Sequence, residues 1–234
     1  MDKPLRDSMH RYYDERALEY EEAYVKGTGT ASIPDPEVFR REASLLAGIV
    51  ERFARGRMVD LACGTGYWLP HYVARCSSVT LLDQAPRMLD ECRRKIAALD
   101  AHDRITIVQG DVLEHPFRAR AFDSALIGFL ISHLTDDEER TLFERLRLML
   151  DAGGRFLILD SAWSAERARF NVKAERQQRR LNDGTPFEIY KRYLDRRDVD
   201  AWATRHGVEL SVEHVGTAFI AVSGFSAPGE SFSA

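Results

Sequence analysis

The chain has 234 residues, 44% hydrophobic and 30% charged, with 33 Lys and Arg against 37 Asp and Glu for a net charge of −4; that is enough for one substantial α/β core and little more. A mixed surface without a Lys/Arg block gives nucleic acid no electrostatic footprint, and a polar start with no apolar run near ~18 residues argues against a signal peptide, a transmembrane helix or a membrane partner. Three cysteines, Cys63, Cys76 and Cys92, are odd in number and lack metal-ligand spacing, which favours reduced core thiols, no metal and a cytoplasmic compartment.

In chain order, a helix is expected from about Leu5 to Val25, where Met9, Tyr13, Ala17, Tyr20 and Tyr24 form one stripe at helical spacing. Acidic residues fill its other faces, as in a helix that lies on a surface or closes over a cleft. The Gly, Thr, Ser and Pro of Lys26 to Asp35 break it. Asp35-Pro36-Glu37 then starts a second helix with an N-cap and proline at the first position, its apolar face carried by Val38, Leu45, Leu46, Ile49 and Phe53.

From there strands alternate with helices. Strands are expected at about Arg57 to Ala62, Val79 to Asp83, Ile105 to Gln109, Ala121 to Phe129 and Arg155 to Asp160, and helices at about Tyr67 to Cys76, Pro86 to Leu99 and Asp136 to Leu150. This order predicts a doubly wound, mostly parallel sheet covered on both faces. The last third reads as an Arg-rich helix Ala165 to Leu181, a turn at Asn182-Asp183-Gly184, a short strand Pro186 to Tyr193, a helix Arg196 to His206, and two strands near Val208 to Val215 and Ala218 to Val222 that form an antiparallel edge. Residues 226–234 are expected to be a disordered tail.

The most informative run is Val59-Asp60-Leu61-Ala62-Cys63-Gly64-Thr65-Gly66-Tyr67-Trp68, a strand feeding a glycine turn at a helix start. Such a turn lets a ligand approach bare backbone amides. Leu69 occupies the third glycine's place in the dinucleotide pattern G-x-G-x-x-G, which argues against a dehydrogenase. Asp83 ends the next strand about 20 residues on, where a βαβ unit places a carboxylate for ribose hydroxyls, though an Asp there also serves as a helix N-cap. Gly110-Asp111-Val112 follows the third strand, and Gly128-Phe129 ends the fourth, where ligands of open α/β sheets bind.

The order of these elements resembles the class I S-adenosylmethionine (SAM) dependent methyltransferases. The resemblance implies a Rossmann-like, seven-stranded sheet with an antiparallel C-terminal edge, in a domain spanning 36–225. An N-terminal helical cap or lid at 1–35 and a substrate-binding insertion at about 162–195 would complete it. It implies SAM as cofactor and S-adenosylhomocysteine (SAH) as product, with Tyr13, Tyr20, Asp60, Ala62, Gly64, Gly66, Trp68, Asp83, Gln84, Met88, Asp111, Val112, Gly128 and Phe129 as cofactor-binding candidates, Asp111 taking the adenine amine.

The acceptor is less explicit. After the fourth strand the chain lacks the Pro-Pro-aromatic motif of base and glutamine methylation, and it has no Pro-Cys nucleophile, so a small molecule is expected, handled by a monomer or homodimer. His133, just past that strand, is the best-placed catalytic candidate, with a packing role as the alternative. On the strand Pro186 to Tyr193, Phe187, Ile189, Lys191 and Tyr193 share one face, which puts a cation among apolar groups; a snorkelling lysine is the other reading. Arg-x-Leu-x-Asp-Gly-x-x-Phe-x-Ile-x-Lys, from Arg179 to Lys191, is similar to small bacterial O-methyltransferases, phosphonate O-methyltransferases of natural-product biosynthesis among them. That likeness makes Tyr12, His133, Arg179, Lys191 and Tyr193 substrate-binding candidates and implies O-methylation of a carboxylate or phosphonate-like acceptor. N- or O-methylation of an apolar natural product, or SAM binding without transfer, are the alternatives.

Overall fold

The computed structural model describes residues 1–26, 33, 35–99 and 101–225; the expected tail and most of the loop after Lys26 lie outside them. The elements are α1 (Lys3–Glu15), α2 (Glu22–Lys26), α3 (Pro36–Phe53), β1 (Gly56–Leu61), α4 (Leu69–Tyr72), β2 (Cys76–Asp83), α5 (Pro86–Leu99), β3 (Ile105–Gln109), β4 (Phe122–Gly128), α6 (Asp136–Met149), β5 (Leu150–Ser161), α7 (Ala165–Ala168), β6 (Ala174–Arg180), β7 (Pro186–Arg192), α8 (Arg196–His206), β8 (Leu210–Val215) and β9 (Phe219–Phe225). Seven strands form one sheet in the order β3-β2-β1-β4-β5-β9-β8. β1 to β5 run parallel and β9 pairs antiparallel with both β5 and β8, so the expected Rossmann-like sheet and its antiparallel edge are both present.

Neighbouring residues on the central strands feed opposite layers, which is why these strands are apolar throughout rather than alternating. Met58, Leu126 and Leu157 pack with Leu46 and Val50 of α3 and Leu89 and Ile96 of α5. Val59, Ile127 and Ile158 pack with Leu142, Phe143 and Leu146 of α6 and Val199 and Trp202 of α8. On α3 the buried face is Phe39, Ala43, Leu46 and Val50. Leu45, expected on that face, is half exposed at 50%.

Three expectations need correction. The first helix ends at Glu15, and residues 16–21 are turns before α2; the break lets the chain bend around the carboxyl ends of the sheet, with Ala17 packed against Ala85 and Met88. The helix expected from Tyr67 to Cys76 is one α-helical turn, Leu69–Tyr72, followed by a 3-10 turn Val73–Arg75. The Arg-rich segment 165–181 is a helix only at Ala165–Ala168; residues 174–180 form β6, paired antiparallel with β7. Leu181, Phe187 and Ile189 of this hairpin bury against Leu5, Met9 and Tyr12 of α1. That tertiary packing outweighs the helix propensity of Arg, Gln and Glu.

The sheet order places β4 beside β1 although β2 and β3 intervene in sequence, and at such a reversal a crevice opens past the strands' carboxyl ends. The turn that leaves β1 there has Ala62, Gly64 and Gly66 at positive φ, 58°, 55° and 70°. A Cβ on Gly66 would also lie 2.7 Å from Cys92 Sγ in α5. Gly153, at φ +74°, has nothing within 4 Å of such a Cβ. Gly66→Ala is therefore expected to cost ~2–4 kcal/mol, strain plus clash, against ~1 kcal/mol for Gly153→Ala. Urea unfolding midpoints check this, and equal losses would contradict the role of the Cys92 contact.

Candidate functional site

Two cavities open at the carboxyl ends of the strands. The first, about 950 Å³, is lined by the β1 turn (Ala62, Gly64), the end of β2 (Asp83, Gln84), Met88, Gly110, Asp111 and Val112 after β3, Gly128 and Phe129 at the end of β4, and Tyr13 and Tyr20 from the N-terminal segment. The second, about 650 Å³, is lined by Tyr12, Arg16, Tyr24, Phe39, Arg167, Arg179, Lys191, Tyr193 and Phe219. Four residues line both: Tyr13, Tyr20, Phe129 and His133. They are the seam between the cavities.

In the first cavity, the Asp83 carboxylate ends β2 and accepts from Gly64 N and Ala85 N, each at 2.8 Å. Burial raises its pKa, opposed by those two amides. Asp111 folds back on its own turn, Oδ1 accepting from Leu113 N at 2.7 Å. Asp60, Gly66 and Trp68 line neither cavity. Asp60 is buried at the end of β1 and accepts from Tyr72 Oη at 2.6 Å; Trp68 stacks on Phe129 and meets Tyr67 edge-on, with centroids 6.4 and 4.9 Å apart. These three shape the turn from behind.

The second cavity is charged. Arg16 is buried between the rings of Tyr12 and Tyr20, its guanidinium carbon 5.5 and 5.4 Å from their centroids. Arg167 is buried over the ring of Tyr193 at 4.4 Å and donates to the carbonyls of Ala162 and Ala218 at 2.7 and 3.0 Å. Half-buried Arg179 donates to Gln177 Oε1 at 2.6 Å, and Gln177 Nε2 donates to Tyr193 Oη at 3.3 Å. None of these three arginines forms an ion pair with a carboxylate among the described residues. Lys191 does: its Nζ lies 3.4 Å from Asp160 Oδ1 and 2.5 Å from Ser132 Oγ. Burial lowers the Lys191 pKa, with Asp160 opposing. Because residues 175, 177 and 179 pair with 191, 189 and 187, Arg179 and Lys191 stand on one face of the hairpin.

His133 sits in the 3-10 turn Ile131–His133 that follows β4. Its Nδ1 is 2.7 Å from the Tyr190 carbonyl, and its Nε2 is 2.7 Å from Tyr13 Oη. A carbonyl only accepts, so Nδ1 carries the proton and Nε2 accepts from the Tyr13 hydroxyl. Burial and then the charge of Lys191 push the His133 pKa down to about 3. The imidazole is neutral across the physiological range, and its lone pair is already engaged.

All the expected site residues apart from Asp60, Gly66 and Trp68 thus lie at one cavity or the other. Arg16 and Arg167 were not foreseen. A cation four residues after Tyr12 and four before Tyr20 was a usable signal for Arg16; nothing in the run around Arg167 distinguishes it. Among the described residues no cluster of three His, Cys, Asp or Glu side chains could hold a metal ion, and no helix is long and apolar enough to cross a membrane.

Residues 58–154 match the family model described as a methyltransferase domain. Over 163 residues the chain is 24% identical to demethylmenaquinone methyltransferase of Staphylococcus aureus (strain MRSA252), the match covering 68% of this chain and 63% of that enzyme, so the chain spans less than two thirds of that relative's length. Among solved structures, a complex of DhpI with SAH superposes with a TM-score of 0.76 at 25% identity over 98% of this chain and 100% of that one. A complex of DhpI with SAM and HEP gives 0.75 at 25% identity over 96% and 99%.

Burial raises the Asp60 pKa to about 7, although the Tyr72 hydroxyl opposes the shift. A carboxyl that ionises at about 7 when folded and near 3.8 when unfolded takes up a proton on folding between those values, so its stability contribution is whole below about 4 and is lost as pH rises through about 7. Asp60→Asn, which cannot ionise, should then gain Tm relative to the parent above about pH 7, the gain shrinking as pH falls toward about 4. A Tm difference that does not vary with pH would contradict this.

Proposed function

We propose that this chain, a class I S-adenosylmethionine-dependent methyltransferase by its fold and its matched domain, transfers a methyl group to an oxygen of a small acidic acceptor, a carboxylate or phosphonate, held in the cationic cavity. The observation that carries the proposal is the trio Arg16, Arg167 and Arg179, two of them buried, with no carboxylate partner among the described residues. Unpaired charge is costly to bury, and an anionic ligand relieves that cost with charge-assisted hydrogen bonds.

The first cavity suits SAM. Bare backbone at the Ala62 to Gly66 turn leaves room for the methionine part, the Asp83 carboxylate at the end of β2 suits the ribose hydroxyls, and Asp111 and Val112 stand where the adenine would lie. When bound, SAM supplies a methyl carbon already activated by its sulfonium. The protein's task is then to hold the acceptor oxygen ~3 Å away in line, and the seam of Tyr13, Tyr20, Phe129 and His133 is where the two ligands would meet.

No proton needs to be removed from an acceptor that arrives ionised. That agrees with His133, whose lone pair is taken by Tyr13 and whose protonated form is opposed by burial and Lys191. In this reading His133 orients the Tyr13 hydroxyl at the seam rather than acting as a base. The aromatic wall of Tyr24, Phe39, Phe129 and Phe219 leaves space for an acceptor with an apolar body beside its acid group.

A labelled-methyl screen over carboxylates, phosphonates, phenols and amines tests the proposal: transfer to acids is expected, and transfer confined to amines or phenols would overturn it. Arg179→Met and Lys191→Met should each lower kcat/KM for the acid by about tenfold to a hundredfold, at ~1.5–3 kcal/mol per charge-assisted contact, with SAH affinity retained. Unchanged kinetics in both would remove the anion-binding role. With a carboxylate acceptor, kcat/KM should show no histidine limb between about pH 6 and 8; a limb that disappears in His133→Gln would contradict the neutral, non-basic His133.

A further inference from the structure

The side of β7 that faces away from the second cavity carries an anchor of the site. Three successive residues of β7 meet three successive residues of the turn after β4, in antiparallel sense. The Tyr190 carbonyl accepts from His133 Nδ1 at 2.7 Å, Lys191 Nζ meets Ser132 Oγ at 2.5 Å, and Arg192 Nε donates to the Ile131 carbonyl at 3.2 Å. The first two contacts place groups that face the cavity. The third lies behind them, and Arg192 lines neither cavity.

Arg192 is in turn held by Glu139 of α6, whose carboxylate has no exposure. Each Glu139 oxygen takes two donors. Oε2 accepts from Arg192 Nη2 and from Trp202 Nε1 at 2.8 Å; Oε1 accepts from Arg205 Nη1 at 2.8 Å and from His206 Nε2 at 3.0 Å. Burial pushes the Glu139 pKa up, yet His206, Arg192 and Trp202 together hold the carboxyl below its usual range. The remaining Arg192 nitrogen, Nη1, donates to Asp136 Oδ1 at 3.2 Å.

We infer that Arg192 and Glu139 are positioning residues: the buried carboxylate fixes the Arg192 guanidinium, and the guanidinium fixes β7 against the Ile131–His133 turn, so that His133 and Lys191 keep their places at the acceptor cavity. A guanidinium is required because one planar group must reach a carbonyl and two carboxylates at once, which an ammonium on a flexible stem does not do. Small displacements of groups that orient an acceptor are costly to rate even when nothing touching the ligand has been removed.

The kinetic arm of the test rests on the acceptor reading proposed above; the spectroscopic arm does not. Arg192→Met leaves Glu139 with Trp202, Arg205 and His206, and Arg192→Lys keeps a cation beside it. In the full-length parent, the ¹⁵N shifts of His133 should report one neutral tautomer with the proton on Nδ1. In Arg192→Met that signature should give way to mixed tautomers, with Arg192→Lys between the two. With whichever acid the parent methylates, Arg192→Met should lower kcat/KM for the acceptor by about tenfold to a hundredfold, while SAH affinity stays within about twofold. Glu139→Gln should shift both readouts in the same direction. A His133 spectrum unchanged in Arg192→Met overturns the inference, whatever the rate does. A parent with the expected spectrum but no methyl transfer to any acid would instead count against the acceptor reading alone.

Discussion

A carboxylate buried without exposure must be met by donors, and Asp160 at the end of β5 is met by three elements at once. Its Oδ2 accepts from Ser132 N of the turn after β4 at 3.0 Å, its Oδ1 from Ser161 N at 2.7 Å, and Lys191 of β7 approaches Oδ1 at 3.4 Å. The parallel sheet, the turn and the β6–β7 hairpin are therefore joined at one charge. The hairpin then offers Leu181, Phe187 and Ile189 to α1, so the N-terminal segment, with Tyr12, Tyr13 and Arg16, is placed through the same junction. The second cavity exists only where these pieces meet. Lys191 spends part of its charge on Asp160, and the three arginines do not, which is why the cavity retains positive charge.

The sheet was legible in the sequence because its signal is local. Apolar runs with short helical spacers, such as Leu81-Leu82-Asp83 and Ala125-Leu126-Ile127, announce buried parallel strands, and the residues of β3 agree with the expectation at both ends. The errors fall where packing at a distance overrides propensity. Residues 174–180 read as helix because Arg, Gln and Glu favour one; they form a strand because β7 buries Phe187 and Ile189 and needs a partner across the Asn182-Asp183-Gly184 turn. The tyrosine stripe likewise kept helical spacing through Arg16 to Glu21, where the chain turns to pass over Ala85 and Met88.

The site divides in the same way. The first cavity draws on the β1 turn, Asp83, Asp111 and Gly128, each at the end of a strand whose position was legible, and so its lining could be read in advance. The second is assembled from the N-terminal segment through α2, from α3, the turn after β4, the end of β5, α7, the hairpin and β9, pieces far apart in the chain. Lys191 stands out in the sequence by strand alternation and, with Arg179, by a resemblance; Arg16 has only its spacing from Tyr12 and Tyr20 as a signal, and Arg167 has none before its guanidinium packs on Tyr193. Lys191, a cation among apolar groups by its sequence position, already shares its charge with Asp160.

The second cavity holds buried positive charge, which in the proposed function an acceptor's anion neutralises. Calorimetric titration of the protein–SAH complex with a carboxylic acid and with its uncharged primary amide, matched in shape, tests this most directly. The acid is expected to bind at least about tenfold more tightly than the amide, the equivalent of ~1.4 kcal/mol or more, and the preference to fall when Arg16, Arg167 or Arg179 is replaced by Met. Equal affinity for acid and amide across the pairs titrated would contradict it.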